Sequence, residues 1–383
     1  MEEEDVTSQF PAQNSHSENH DGGLPLFQVV VPEAVKRAEN VMFTLQVTIV
    51  AEEKGLVLLR QYEDFEWLHH NLVTNNDIRG IIVPPLPVKP LSDPKSAESL
   101  SKKQMGDNTR IMRGDQFEHD CLSVQKYLEL VLSHPTFGRD KMLSSFLTEQ
   151  EAPVRARLNK GLITRLSSVI DTARKSNRKD VDEYYNTKRY FATEYSKAIK
   201  EASLNYNKLL VAQWRLSSSY STVATELTSC TADRDEELVK LNRVLKALSD
   251  GCEDEATCYE LKSAKGETTA GFFLDLFARY SDSLKDMHFR RVNDLIEYEA
   301  AEKALEKAKP PKRQAAEEAF ETAKSNFERA SENGKTELNR FTQIRLASSA
   351  SFLSEYAELQ VKISQDFYTQ LLHSRRALDK IHL

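Results

Sequence analysis

Apolar side chains in the last third of the chain recur every three or four residues. Phe320, Ala323, Phe327, Ala330, Gly334, Leu338 and Phe341 form one run, and Phe352, Tyr356, Leu359, Ile363, Phe367, Leu371, Leu378 and Ile381 continue it. That spacing predicts one helix face about 70 residues long, or ~105 Å at 1.5 Å per residue. A helix of that length cannot bury its stripe against a small globule and needs other long helices, or a second chain, beside it. Proline placement agrees. Ten of the twelve prolines lie at or before Pro153, and the other two are the adjacent Pro310 and Pro311. Proline removes a donor and clashes with the preceding turn, so two long proline-free stretches around one pair predict long helices with one sharp interruption. Softer breaks fall at Ser249–Cys252 and Lys265–Thr268, where Thr268 or Thr269 could cap the next helix. Three long helices are expected, at about 154–264 (imperfect near 229–234 and 249–255), 268–309 and 312–381.

The first 150 residues follow a different rhythm. Residues 1–24 are polar and poor in aromatics, the composition of a disordered segment. Strand character appears at Leu26–Val31, Val41–Val50 and Gly55–Leu59. Helical patterns follow at 62–73, 117–132 and 139–148, and Leu91–Gly114 reads as a polar loop with some helix.

Composition narrows the function. Charged residues make up 29% of the chain and the mean hydropathy is −0.54, which suits long solvated helices better than one large globule. The four cysteines, Cys121, Cys230, Cys252 and Cys258, are irregularly spaced and suggest reduced thiols. The acidic start, Met1 to Asp5, lacks the apolar core of a secretory signal. No apolar run reaches the ~18 residues of a membrane span, so membrane contact is expected to be peripheral. No glycine-rich phosphate loop, His-Glu-x-x-His or Cys-x-x-Cys is present, and the His119-Asp120-Cys121 triplet cannot form a relay, because adjacent helical residues point about 100° apart. An enzyme, a metal site, a cofactor and a nucleic-acid partner are not expected.

Two segments of the first module carry a resemblance together. One is Arg60-Gln61-Tyr62-Glu63-Asp64-Phe65-Glu66-Trp67-Leu68. The other is Ile82-Val83-Pro84-Pro85-Leu86-Pro87-Val88-Lys89-Pro90, with Tyr127-Leu128 and Val131-Leu132-Ser133-His134-Pro135 further on. Their order resembles a phox-homology (PX) domain. With three long helices and a Pro-Pro tip behind it, the chain resembles the PX-BAR sorting nexins, in particular the branch of sorting nexins five, six and thirty-two. The resemblance implies an α+β PX domain (25–150), with a three-stranded sheet, helices and a polyproline loop. It further implies a linker with a basic amphipathic helix (151–179) and an all-α BAR domain (180–383) that forms a dimeric curved rod.

The resemblance also implies sites. In the usual PX pocket the second arginine of an Arg-Arg-aromatic run meets the 3-phosphate of a phosphoinositide, because guanidinium forms a fork of donors. Here that position is Gln61. Arg60 matches the first arginine, Tyr62 the ring beneath the inositol and Lys89 a second phosphate contact, so the pocket is degenerate. The alternative is that Tyr62, Phe65, Trp67 and Leu68 are core residues and Arg60 a solvated or paired side chain. Phe117 falls where the branch lines a groove that takes cytosolic tails of transmembrane receptors by strand addition. The alternative is that it anchors helix 117–132.

Charge divides the chain. Residues 1–153 hold 14 Lys+Arg against 24 Asp+Glu, a net of −10, while 154–383 net +3. The positive charge concentrates in 154–179, at Arg155, Arg157, Lys160, Arg165, Arg174, Lys175, Arg178 and Lys179. Leu158, Leu162, Leu166 and Val169 share the opposite face of a helical wheel. This pattern fits a helix lying on anionic lipid, although the apolar face could instead pack on the rod or the first module. Lys307, Lys309, Lys312 and Arg313 put more basic charge at the hairpin tip.

The expected function is therefore that of an endosomal sorting adaptor, peripheral on early endosome membranes and tubules. It would dimerise, with itself or with a sorting nexin of the one/two type, assist tubulation and recruit cargo for endosome-to-Golgi retrograde transport. The alternatives are a conventional phosphoinositide-binding remodeller and a coiled-coil scaffold without a membrane role.

Overall fold

A computed structural model describes residues 26–37, 40–90, 117–152, 180–229 and 236–379. The expectations for 1–24, for the 91–114 loop, for the amphipathic segment 154–179 and for Cys230 lie outside those residues. The first module opens with β1 (Phe27–Arg37), β2 (Asn40–Ile49) and β3 (Lys54–Gln61), an antiparallel sheet in the order β1-β2-β3. Phe27, Val29 and Val31 on β1 alternate with exposed residues, as do Val41, Phe43, Leu45 and Val47 on β2. This period-two burial gives the sheet one core face. β1 runs past Pro32, which lacks a ladder donor, and the pairing with β2 shifts register between Val30 and Glu33. Helices α1 (Tyr62–Asn75), α2 (Glu118–Leu132) and α3 (Lys141–Thr148) cover the core face. Phe65 sits between Phe43 and Phe146, with ring centroids 5.7 and 5.4 Å away.

The rod differs from its expected boundaries in two places. Instead of one helix over 154–264, α4 (Glu183–Ser229) and α5 (Glu236–Gly266) lie antiparallel. Ser263 Oγ donates to Leu210 O at 3.0 Å, and Ser249 Oγ to Ala224 O at 2.8 Å. The chain thus reverses between 229 and 236. The seam explains why: Ser203, Leu210, Ser217 and Ala224 on α4 recur every seven residues and are buried, opposite buried Ala247, Ser249, Ala256 and Ser263. Mostly small side chains on both sides let the two helices approach closely.

The second difference is that the expected breaks at Ser249–Cys252 and Lys265–Thr268 are absent. α5 continues through Gly251, a π turn follows at Glu267–Gly271, and α6 (Phe272–Glu306) leaves it directly. Thr268 and Thr269 do not cap. Both hydroxyls donate back to Lys265 O, at 3.3 and 2.8 Å. The glycines serve packing rather than termination. A Cβ on Gly266 would come within 2.7 Å of Leu210 Cδ2, so the wide turn brings bare backbone against α4. The Pro310–Lys312 turn ends the α6 excursion, and α7 (Arg313–Asp379) returns along it. Tyr280 meets Phe341 at 5.1 Å, Phe272 meets Phe352 at 5.5 Å and Tyr298 stacks on Phe327 at 5.8 Å.

The first module docks on α6 and α7 about midway along the rod. Ile82 and Leu130 are buried in the rod's own core cluster. Glu337 lies beneath the joint, accepting from Ile82 N at 3.2 Å and meeting His134 Nε2 at 3.2 Å. Thr136 N donates to His134 Nδ1, so the ring carries its proton on Nε2 and donates it to Glu337. Arg290 donates to Ile81 O at 2.6 Å and Arg340 to Ser133 O at 2.7 Å. Gly80 makes the closest approach. Its φ is +73°, and a Cβ there would lie 2.4 Å from Ala330 O.

Gly80→Ala should therefore combine left-handed strain with overpacking and weaken the joint by about 2–4 kcal/mol. Hydrogen exchange should accelerate at 80–86 and 330–338 while the α4–α5 seam stays protected. Unchanged exchange at 80–86 would show that the joint does not depend on this contact.

Candidate functional site

Strand alternation decides the fate of Arg60. Leu58 and Arg60 are the inward residues at the end of β3, so Arg60 enters the module core and is fully buried. Its guanidinium donates to Leu59 O at 2.9 Å, Phe146 O at 2.9 Å and Gln150 O at 3.4 Å, and also to Glu149 O. Three of these carbonyls belong to the last turn of α3 and the residues after it, so Arg60 closes the C-terminal end of that helix. The ring of Phe146 lies 5.2 Å from its Cζ. Burial pulls its pKa down, against the attraction of Asp64 and Glu149. Arg60 is thus committed to backbone carbonyls and does not face the pocket where the sequence placed it.

Gln61 precedes α1, and its N–H donates to Asp64 Oδ2 at 2.7 Å, half of a capping box. Tyr62 is buried, and its hydroxyl donates to Pro87 O at 2.6 Å. Burial, reinforced by Glu66, pushes the phenol up to about 12, so it stays a donor. Lys89 closes over this ring, with Nζ 6.0 Å from its centroid. The same Nζ lies 2.6 Å from Glu63 Oε1 in the first turn of α1. From the rod, Arg279 donates to Leu86 O at 3.3 Å. The structure therefore places Lys89 beside Tyr62 and adds two residues that sequence reasoning missed, Glu63 and Arg279. Glu63 stood in the quoted motif, one residue beyond the ring, where a carboxylate opposes phosphate. Arg279 left no signal, because it arrives from a helix 193 residues away.

Phe117 is 7% exposed and packs in the core of the first module, immediately before α2. Cys121 is also buried, and burial beside Asp120 pushes its thiol up to about 12. The ring of His119 turns onto Phe272 of the rod at 5.7 Å. His69 is held against Tyr127, 3.2 Å from its hydroxyl, and burial lowers its pKa to about 4. Lys309, Lys312 and Arg313 are exposed at the tip, where Arg313 pairs with Glu317 at 3.2 Å. The bases of 154–179 lie outside the described residues. A cavity of ≈ 590 Å³ lies elsewhere, between α2, the π turn and α7. Its rim pairs charges internally, Lys126 with Glu129 at 3.1 Å and Lys265 with Glu118 at 3.9 Å. No helix among the described residues is long and apolar enough to cross a membrane.

Sequence similarity to known proteins spans both parts of the chain. The PX domain family matches residues 50–150, and the sheet extends upstream of that match to Phe27. Mouse sorting nexin-32 is 29% identical over 376 residues, covering 91% of this chain and 92% of that protein. Human sorting nexin-6 is 28% identical over 361 residues, covering 88% and 87%. The cryo-EM structure of the SNX-BAR Mvp1 tetramer overlaps 89% of this chain and 99% of that one, with 13% identity and a TM-score of 0.47.

Replacing Arg60 by Ala should leave several buried carbonyls without a donor and destabilise the first module by about 3–5 kcal/mol. Denaturant titration followed by the fluorescence of Trp67, in a Trp214→Phe background, would report this. A loss under 1 kcal/mol would mean that Arg60 is not the closure of α3.

Proposed function

We propose that this chain, a PX-BAR protein of the sorting nexin family, is a dimerising sorting adaptor on endosomal membranes. In this reading it helps bend or coat tubules and gathers transmembrane cargo for endosome-to-Golgi retrograde transport. The observation that carries the dimer is the placement of exposed apolar side chains on the rod. Leu209, Leu216 and Val223 recur every seven residues on α4 and are 40–48% exposed. Each stands one position before a buried seam residue, so the large side chains of this heptad point out of the bundle. Leu241 and Leu248 on α5, and Leu346, Leu353, Val361 and Tyr368 on α7, are 49–65% exposed. Among the described residues, no large hydrophobic between 262 and 345 is comparably exposed. Along α5, α6 and α7 the exposed apolar side chains therefore fall in the half of the rod away from the Pro-Pro tip. Val181, just before α4, and Tyr190 on α4 are exposed as well, 69% and 71%. A face of this kind is covered by a second rod, from the same chain or from a sorting nexin of the one/two type.

The chemistry of the first module supports a role in recognising partners or cargo more than the usual 3-phosphate. Gln61 carries no charge, Arg60 is occupied by α3 and Lys89 is paired with Glu63. Membrane contact then falls to the eight bases of 154–179, to the tip lysines or to the partner. Phe117 remains the proposed cargo contact of the branch. Because it is a core residue, its ring is not free to make that contact as the structure stands. The conventional reading, in which the pocket itself finds a phosphoinositide, keeps one observation in its favour, the convergence of Lys89 and Tyr62.

Two measurements test the proposal. Leu216→Glu with Leu353→Glu should halve the mass in light scattering, or abolish co-purification with a partner nexin, without lowering the helical circular dichroism. An unchanged mass and an unchanged partner would exclude this face as the interface. Replacing Arg165, Arg174, Lys175, Arg178 and Lys179 by Gln should remove ~1 kcal/mol of membrane attraction per base and lower sedimentation with anionic vesicles at least 100-fold. Binding that survives this change but is lost with Lys89→Ala would favour the conventional pocket instead.

A further inference from the structure

We infer that Glu63 is an internal stand-in for a phosphate. It occupies the charge of Lys89 and fastens the polyproline loop over Tyr62, so that the pocket is already liganded by its own chain. This rests on the reading above that the pocket is not a working 3-phosphate site, and supplies a residue-level cause beyond the missing arginine.

Three contacts carry the inference. The Glu63–Lys89 distance, 2.6 Å between Oε1 and Nζ, is that of a charge-assisted hydrogen bond. Lys89 Nζ also lies 6.0 Å from the Tyr62 centroid, so the lysine placed to meet an anionic group on a polyol ring is the one that Glu63 engages. The Tyr62 hydroxyl donates to Pro87 O two residues before Lys89, which joins the ring and the loop into one unit. Phosphate carries the same kind of acceptor oxygens as carboxylate with more charge. A ligand here must displace Glu63 from Lys89 and then sit beside the displaced carboxylate.

The loop beneath this contact is also the loop the rod holds. Leu86 O accepts from Arg279, Ile81 O from Arg290, and Ile82 N donates to Glu337. With Glu63 in the phosphate's place, the loop keeps its rod-binding shape without lipid. A pocket that needed a headgroup to order it would leave the joint dependent on the membrane.

The size of the effect follows from charge. A carboxylate about 5 Å from a doubly charged phosphate, in a solvent-exposed site, costs on the order of tenfold in affinity after salt screening. The experiment titrates the full chain with soluble inositol 1,3-bisphosphate in four forms: unaltered, Glu63→Gln, Gln61→Arg, and the two changes together. Glu63→Gln is conservative in shape, and thermal melting of each form checks folding. The double variant should bind about tenfold more tightly than Gln61→Arg, and adding Lys89→Ala should abolish that gain. Equal affinity of the double variant and Gln61→Arg would overturn the inference while leaving the proposed function standing. Tight binding by the unaltered chain would overturn the proposed reading of the pocket and this inference with it. A gain on phosphatidylinositol 3-phosphate vesicles but not with the soluble headgroup would trace the effect to general surface charge and also overturn the inference.

Discussion

The structure depends on one constraint: a helix that runs unbroken from Glu236 to Glu306 exposes more apolar surface than any single neighbour can cover. α4 packs along α5 and onto α6, and α7 along α6 and onto α5, and the two meet near the π turn, where Tyr206 lies 6.3 Å from Tyr356. At this crossing the wide turn and its bare glycine backbone admit α4 without breaking the helix. The requirement is met unevenly. Toward the Pro-Pro tip the pair α6–α7 keeps its aromatics between the two helices. At the other end large hydrophobics remain on the outside, and this unfinished half is why the rod is read as one part of a dimer.

The docking of the first module follows from the same rod. Its contacts fall where α6 and α7 run side by side, and they are mostly polar. Backbone groups of 79–86 and 133 meet Arg279, Arg290, Asn333, Glu337 and Arg340. Such contacts are directional, so they fix the module's orientation more than they add to its stability. Ile82 and Leu130 contribute the apolar part by entering the rod's core. The joint therefore uses the polyproline loop, the element that in a lipid-reading module would answer to a headgroup.

Electrostatics completes the division of labour. The first module is net −10 over residues 1–153, and the cations nearest its pocket are already engaged, Arg60 by carbonyls, Lys89 by Glu63 and Arg279 by Asp275 and Leu86. A bilayer surface of negative charge gains little from such a face. In the sequence the excess of basic residues falls in 154–179, which holds eight Lys and Arg against the single acid Asp171.

The sequence by itself determined the elements: the alternation in the sheet, the long helices, the Pro-Pro reversal and the charge division. Each follows from local chemistry, in which backbone preference and the period of the apolar face act over a few residues. It also held more than was read from it. The parity that turns Leu58 inward applies to Arg60, and the seven-residue repeat of Ser203, Ser217 and Ala224 around Leu210 on α4 marks a close helix pair. Only the tertiary structure decided which elements meet. The reversal between α4 and α5, the use of Gly266 and Gly271 for packing rather than termination, and the pairing of Ile82 with Glu337 across 255 residues depend on which surface covers which. Periodicity records that a face is apolar but not what will cover it, and a polar side chain takes its role from the groups that folding brings within ~3 Å of it.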